Sequence, residues 1–413
     1  MRRASMVLVL AGACLAVPGT AQAAGPAAHH TAHSVRFATF NASLNRAARG
    51  ELASDLATPD DAQANNVAEI IQRARPDVLL VNEFDYDSAG TSVNEFRRNY
   101  LQRPHNGAAA IRYPYAYSAP SNTGIASGRD LNNDGTVVNT PGTDAYGQDA
   151  LGYGFFPGQY GLVVYSKYPL DTRHVRTFQK FLWKDMPGAD LPKDPATGRA
   201  WYDAGDLKVL RLSSKSHWDV PVRIGRRTVH FLVSHPTPPS FDGPEDRNGM
   251  RNHDEIRFWA DYVRPGHSRY VYDDRGGRGG LAPGASFVIA ADMNADPNDG
   301  DKYDDAIDQL LDNPRVDARH APTSAGGPEA ARIQGAANAE HAGDPAYDTA
   351  DFADALPAGP GNLRADYVLP SRDLRPRGGG IFWPTSTSPL ARLTWGDPLP
   401  SSDHHLVWQN LKP

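Results

Sequence analysis

Four apolar segments of this chain end in side chains that can bind a metal ion or a phosphate group. The segments are 35–40, 78–82, 229–234 and 287–291, and the residues that follow them are Asn41, Glu83, His235, Asp292 and Asn294. A single Asn or Asp after a strand is usually a turn former. Four such endings in one chain are poorly explained by turns alone, so we expect a shared site.

Two further apolar segments begin with residues of the same kind. Asp366 opens the run D-Y-V-L, and Asp403 and His404 come just before a second apolar run. In a mixed sheet an antiparallel strand starts beside the point where its neighbour stops, so all six clusters can meet along one rim. Functional side chains held this way by a rigid scaffold are typical of enzyme sites.

The elements that must position these residues follow from apolar runs and periodicity. Strands are predicted at 35–40, 78–81, 160–166, 208–213, 218–224, 228–234, 286–291, 365–369 and 404–409. Helices are predicted at 62–75, 252–263 and near 303–312, and loops at 84–158, 170–206 and 314–362. This order favours an α/β (α+β) fold in which a two-sheet sandwich is flanked by helices.

Composition excludes several classes of protein. The 413 residues include one Cys, which leaves no disulfide framework and no cysteine-built metal site. The formal charge of −6 provides no overall basic field for nucleic acid. No apolar run after the N-terminus reaches the length of a membrane span. Chemistry must therefore come from His and carboxylates, with or without a metal.

The N-terminus is typical of an export signal. Arg2 and Arg3 precede an apolar stretch from Met6 to Val17, and small residues follow up to Ala23. We predict a signal peptide at 1–23, a flexible leader at 24–33, one domain at 34–413, and a secreted, extracellular protein. A twin-arginine signal and a lipoprotein box ending at Cys14 fit the same segment less well.

Six short motifs occur in the order found in a known superfamily. They are T-F-N at 39–41, N-E at 82–83, S-H-P at 234–236, A-D-M-N at 291–294, R-A-D-Y at 364–367 and S-D-H at 402–404. From residue 35 to the end the chain resembles the endonuclease/exonuclease/phosphatase superfamily, and F-P-G-Q-Y-G at 156–161 is similar to a secreted bacterial branch of it. Asn82 and Ala291 depart mildly from the usual Gln and Gly. The resemblance implies a four-layer αββα sandwich with two mixed, mostly antiparallel β-sheets.

The resemblance also implies a metal site. Glu83, with Asn41 and Asp403, matches the residues that bind a divalent cation in this superfamily. Carboxylate and amide oxygens suit Mg²⁺ or Mn²⁺, and the lack of thiolates argues against a dedicated zinc cage.

The remaining motif residues match groups that act on the phosphate. Asp292 resembles the residue that orients or deprotonates the attacking water, and Asn294 resembles a ligand of the same phosphate. His404 resembles the imidazole at the scissile phosphate, with its tautomer fixed by Asp366. His235 matches a second histidine that contacts phosphate or protonates the leaving group.

Several other polar residues have two interpretations. Lys215, His217, Arg247, Asn248 and Arg251 are either further phosphate contacts or structural residues. Asp130, Asn132 and Asp134 fit the opening of a calcium loop, but position twelve is Pro141. This segment is therefore either a structural Ca²⁺ site or an Asx-rich turn.

The sequence thus predicts a secreted, divalent-metal-dependent phosphoesterase, with small phosphate esters as the favoured substrates. An extracellular nuclease that takes nucleic acid as its substrate is the alternative, although no basic run supplies the groove it needs. A non-catalytic extracellular binding protein is the alternative of another class. We expect a monomer.

Overall fold

The central strands are apolar on both faces, and each face is buried against a different layer. In the computed structural model, which describes residues 34–355 and 359–413, Phe37 points to one core while Phe40 points to another. Leu80 and Val81 divide between the same two cores. Side chains alternate across a strand, so continuous apolar runs such as 78–81 mark strands buried on both sides.

Thirteen strands lie within the described part of the chain. They are β1 Val35–Asn41, β2 Val78–Asn82, β3 Tyr115–Tyr117, β4 Leu162–Ser166, β5 Arg176–Thr177, β6 Trp218–Ile224, β7 Arg227–Ser234, β8 Ser286–Asp292, β9 Ala350–Asp351, β10 Asn362–Leu363, β11 Asp366–Pro370, β12 Arg375–Ile381 and β13 Val407–Lys412. One sheet has the order β12-β13-β1-β2-β4-β3 and the other β11-β8-β7-β6-β5, and β9 and β10 form a small ribbon.

Each large sheet contains one parallel pair among antiparallel neighbours. Strands β1 and β2 are parallel in the first sheet, and β7 and β8 are parallel in the second. All other pairs within the two sheets are antiparallel. The predicted mixed, mostly antiparallel arrangement is confirmed.

Helices cover the outer face of both sheets. The α-helices of the described residues are α1 Glu51–Leu56, α2 Ala62–Ala74, α3 Thr91–Glu95, α4 Asp144–Asp149, α5 Arg247–Tyr262, α6 Asp308–Leu311 and α7 Gly326–Gln334. Asp61 is the N-cap residue of helix α2, and its side chain accepts a hydrogen bond from the Ala64 N–H at 2.7 Å. Its apolar stripe, including Val67 and Ile71, packs on the first sheet, and Ile256 and Trp259 of α5 pack on the second.

Three apolar clusters therefore separate four layers. One lies between α2 and the first sheet, one between the two sheets, and one between the second sheet and α5. The middle cluster is centred on Phe37 and Phe231, whose ring centroids lie 5.6 Å apart. The αββα sandwich expected from the sequence is confirmed.

Several element boundaries predicted from the sequence were wrong. The predicted strand at 208–213 does not form, because Asp206–Lys208 is a short 3₁₀ helix and the Arg251 guanidinium takes the carbonyl oxygens of Arg211 and Leu212, at 2.8 Å each. The last strand runs over Val407–Lys412 rather than 404–409, which leaves His404 before it.

Other elements were missed or misplaced. Helix α5 begins five residues earlier than expected, and only Asp308–Leu311 of the helix near 303–312 forms. Strand β12 lacks an apolar pattern because it contains R-P-R-G-G-G, and α3, α4 and α7 lie in stretches expected to be loops.

The predicted signal peptide and leader lie outside the described residues. Within 34–355 and 359–413, no helix has both the length and the apolar character that crossing a membrane requires.

Replacing Phe231 tests the contact between the sheets. We expect Phe231→Ala to lower the free energy of unfolding by about 3–5 kcal/mol, since it opens a cavity at a fully buried position between the sheets. Tyr115→Ala, at a position that is 39% exposed on β3, should change it by no more than about 0.5 kcal/mol. Chemical denaturation measures both, and equal effects would contradict the assigned core.

Candidate active site

The parallel pairs place the motif residues at one edge of each sheet. Asn41 lies opposite Asn82, so Glu83 follows at the same edge. In the second sheet Ser234 pairs with Ala291, which brings His235 beside Asp292. The carboxyl ends of parallel strands coincide, and this is why separate segments of sequence meet there.

Antiparallel neighbours complete the rim. Asp366, the first residue of β11, pairs directly with Asp292, the last residue of β8. On the other sheet β13 runs antiparallel to β1, so His404, three residues before it, lies past the end of β1. The predicted meeting of strand ends and strand starts is present in both sheets.

The Asp292 carboxylate is the meeting point of the two sheets. Its Oδ2 atom accepts a hydrogen bond from Asn41 Nδ2 at 3.0 Å. The same oxygen lies 3.3 Å from His235 Nε2 and 3.6 Å from His404 Nε2. Its Oδ1 atom accepts the backbone N–H of Asn294 at 2.9 Å. Both oxygens are therefore fixed within a buried polar cluster.

His404 is held by a carboxylate of the opposite sheet. Its Nδ1 lies 2.8 Å from Asp366 Oδ2. The Thr349 hydroxyl donates to the same carboxylate oxygen at 2.9 Å and accepts the backbone N–H of Ala365 at 3.0 Å. The Phe352 ring packs edge-on against the imidazole, with centroids 5.2 Å apart. The orientation of His404 is thus fixed on several sides.

Sequence reasoning did not identify Thr349 or Phe352. Both lie in the stretch 314–362, which was expected to be a loop, and neither carries a motif. The hydroxyl of Thr349 becomes informative only when β9 brings it beside β11.

A second group of oxygens surrounds Glu83. Glu83 Oε2 accepts a hydrogen bond from Asn45 Nδ2 at 2.9 Å. Asn45 was not among the site residues predicted from the sequence. Ser43 links the neighbouring residues, since its N–H donates to Asn41 Oδ1 at 3.2 Å and its hydroxyl to Asp403 Oδ1 at 3.3 Å. Glu83, Asn41 and Asp403 thus gather on one side of Asp292.

Electrostatics distinguishes the two histidines. Burial lowers the pKa of His404, but Asp366 and Asp292 outweigh it and raise that pKa well above its ordinary value. Burial, together with the charges of Lys215 and His404, lowers the pKa of His235 well below its ordinary value. The surroundings of the two imidazoles thus shift their pKa values in opposite directions.

The carboxylates respond to burial as well. Burial raises the pKa of Asp292, with the positive charge of His404 acting against it. Burial and the nearby negative charge of Asp403 raise the pKa of Glu83. Repulsion between two carboxylates in one place is the condition that a bound cation relieves.

Three site residues have strained backbone. Ser43, Glu83 and Asn294 have φ angles of 48°, 56° and 49°. This left-handed region is unfavourable for residues other than glycine, least so for Asn. Such strain persists where the surrounding structure holds it and is concentrated at functional sites.

The additional cationic residues have different surroundings. Arg251 donates to backbone carbonyls of Leu151, Arg211 and Leu212, and His217 contacts Ser213 and the Glu255 carbonyl. These contacts are structural.

Lys215 differs, because its ammonium makes no hydrogen bond or ion pair with any described residue. The side chain is only 7% exposed and lines the same cavity as His404. Burial lowers the pKa of Lys215, although Glu255, Glu83 and Asp292 oppose this.

The site opens into a cavity of about 810 Å³. Its floor is formed by Glu83, Lys215, Asp292 and His404. The apolar part of its walls is contributed by Leu131, Tyr202, Leu210, Pro238, Phe241, Phe352 and Leu363. This volume is in the range typical of small-ligand pockets.

The expected calcium segment forms a hydrogen-bonded turn. Asp130 accepts the backbone N–H groups of Asp134 and Gly135 at 3.1 and 2.9 Å, and Asn132 Oδ1 also accepts the N–H of Asp134, at 3.2 Å. These bonds are those of an Asx-rich turn. Calcium binding by Asp130, Asn132 and Asp134 stays a prediction.

A family model now connects this geometry with known proteins. The model described as the endonuclease/exonuclease/phosphatase family matches residues 38–404. The comparison with curated protein sequences finds no match.

Solved structures with a similar fold include three from bacteria. An endonuclease/exonuclease/phosphatase from Beutenbergia cavernae is 14% identical, with a TM-score of 0.45, covering 92% of this chain and 72% of that one. Sphingomyelinase C from Streptomyces griseocarneus is 17% identical, with a TM-score of 0.45 and coverage of 91% and 99%. A mannosyl-6-phosphatase from Bacteroides thetaiotaomicron is 11% identical, with a TM-score of 0.42 and coverage of 92% and 99%.

The match of the family model spans most of the chain and includes both ends of the rim described above. This chain belongs to the endonuclease/exonuclease/phosphatase family and is a hydrolase of phosphoester bonds.

Proposed function

We propose that this protein is a secreted, divalent-metal-dependent phosphoesterase that hydrolyses small phosphate esters. The observation that carries the substrate class is the cavity lined by Asp292 and His404, which has one unpaired cation, Lys215, among its described lining residues. A pocket of this kind suits one phosphate group with a compact leaving group.

The charges around the cavity favour a single phosphate over a polynucleotide. Arg247 pairs with Glu245, and Arg251 uses its donors on backbone carbonyls. Carboxylates of Asp144 and Asp301 also face the cavity. A nuclease must neutralise successive phosphates with Lys and Arg, and this lining offers little for that purpose.

The donor set fits a hard divalent cation. Glu83, Asn41 and Asp403 offer carboxylate and amide oxygens only, the ligands that Mg²⁺ and Mn²⁺ prefer. Burial, and after it the negative charge of Asp403, raises the pKa of Glu83. A cation held by these residues would polarise a phosphoryl oxygen and neutralise developing charge.

The remaining residues divide the work at the phosphate. Asp292, with Oδ2 fixed by Asn41, accepts the proton of the attacking water, and Asn294 binds a phosphate oxygen. His404, oriented by Asp366, places Nε2 near Asp292 and donates to the phosphate in the transition state. His235 contacts phosphate as a neutral imidazole, and Lys215 supplies a further positive charge. The oxygen of water forms a new P–O bond as the bond to the leaving oxygen breaks, and the leaving group takes a proton from solvent and departs as an alcohol, with no covalent intermediate on the chain.

Replacing Asp292, the proposed base, or His404 tests these roles. His404→Ala and Asp292→Ala should each lower kcat by about 10²–10⁴-fold, the usual contribution of a positioned proton-transfer group. Circular dichroism should show an unchanged fold. His174→Ala, at a histidine whose side chain is 73% exposed, is the control and should keep full activity. Rates within a few-fold of wild type in both site variants would reject the assignment.

The metal ligand is tested by an isosteric change. Glu83→Gln keeps size and removes charge, so the Mg²⁺ concentration for half-maximal activity should rise at least about tenfold, since even outer-shell partners contribute 10–100-fold. Glu340→Gln, at an exposed position, is the matched control. An unchanged metal dependence would place the cation elsewhere.

A substrate panel separates the alternatives. With Mg²⁺, phosphomonoesters and small phosphodiesters should be hydrolysed faster than plasmid DNA or phospholipid vesicles, and EDTA should abolish the activity. Faster cleavage of DNA would favour the nuclease. A folded protein without activity on any phosphoester would favour the extracellular binding protein.

A further inference from the structure

A second cluster of metal-ligating side chains lies on helix α5, outside the catalytic cavity. His253 and Asp254 belong to α5, and Asp190 belongs to the segment 187–191 that packs against the helix. One donor atom from each residue lies within 4.8 Å of the others. None of these three residues lines the cavity.

Two of the three separations are close to the edges of a tetrahedral site. His253 Nδ1 lies 3.0 Å from Asp190 Oδ2 and 3.4 Å from Asp254 Oδ1. Ligands bound to zinc at about 2.0–2.1 Å in a tetrahedron lie roughly 3.3 Å from one another. The two measured distances are close to this value.

The imidazole nitrogen between the carboxylates has no hydrogen bond. The Nδ1 atom of His253 is buried, and its contacts with Asp190 and Asp254 lack hydrogen-bond geometry, so it has no partner among the described residues. An ordinary His–Asp pair aims its N–H at one oxygen. A nitrogen that lies between two carboxylate oxygens is instead placed to give its lone pair to an ion.

Three hydrogen-bond donors hold the carboxylate of Asp254 in place. Its Oδ2 atom accepts Trp183 Nε1 at 2.7 Å and the Asp190 N–H at 2.8 Å, and Arg257 Nη1 approaches Oδ1 at 3.2 Å. Outer-shell donors of this kind orient the ligands of metal sites.

We propose that Asp190, His253 and Asp254 bind a zinc ion in an open site, with water in the fourth position. The Asp190 side chain is 32% exposed, which gives the ion access from solvent. Bound there, the ion ties the segment 187–191 to α5. The inference does not depend on the phosphoesterase chemistry.

Zinc titration of a variant whose catalytic site is weakened toward metal ions, through the loss of one carboxylate and one imidazole, tests this proposal. In Glu83→Gln/His404→Ala, calorimetry should detect one Zn²⁺ per chain, and Co²⁺ should give the visible absorption of a four-coordinate ion. Adding His253→Ala should weaken Zn²⁺ binding at least tenfold and abolish the Co²⁺ band. Adding His267→Ala, at a histidine just past the same helix whose side chain is 47% exposed, should leave both unchanged.

Asp190→Asn keeps the test informative if His253→Ala fails to fold, because Asp190 is partly exposed and the change is isosteric. It should also weaken Zn²⁺ binding and remove the Zn²⁺-induced rise in melting temperature. Absence of Zn²⁺ binding in the background variant, or equal binding after the change at His253 or Asp190, would overturn the proposal.

Discussion

Two hydrogen-bonded contacts across the sandwich determine how its sheets are stacked. Asn41 of the first sheet donates to Asp292 of the second, and His404, next to the first sheet, pairs with Asp366 of the second. All four side chains are buried. A buried ion is costly unless it is paired, so the two sheet edges must coincide. The apolar layer between the sheets makes that alignment stable, while the polar contacts make it specific.

The sequence predicted which residues meet at the edges of the two sheets, but it did not predict the walls of the cavity. The ends and starts of apolar runs could be located from the order of residues along the chain. Parallel pairing then explains why Asn41 meets Glu83 and why His235 meets Asp292. The walls of the cavity come from long irregular stretches, whose paths depend on tertiary contacts rather than on periodicity. Thr349 illustrates this, because its hydroxyl supports Asp366 only after a distant segment has folded back.

The wrong boundaries have similar physical causes. Residues 209–213 have strand-like composition, yet Arg251 occupies the carbonyl oxygens that a neighbouring strand would use. Strand β12 lies at a sheet edge and is mostly exposed along its R-P-R-G-G-G segment, so burial imposes no apolar alternation on it. The left-handed backbone of Glu83 carries no sequence signal at all.

A crystal structure of the purified protein soaked with Mn²⁺ and inorganic phosphate would test the central claim most directly. The proposed site predicts an anomalous peak among Glu83, Asn41 and Asp403, with phosphate oxygens within hydrogen-bond distance of Asn294 and His404. Ordered phosphate and metal elsewhere, with this rim unchanged and empty, would contradict the account.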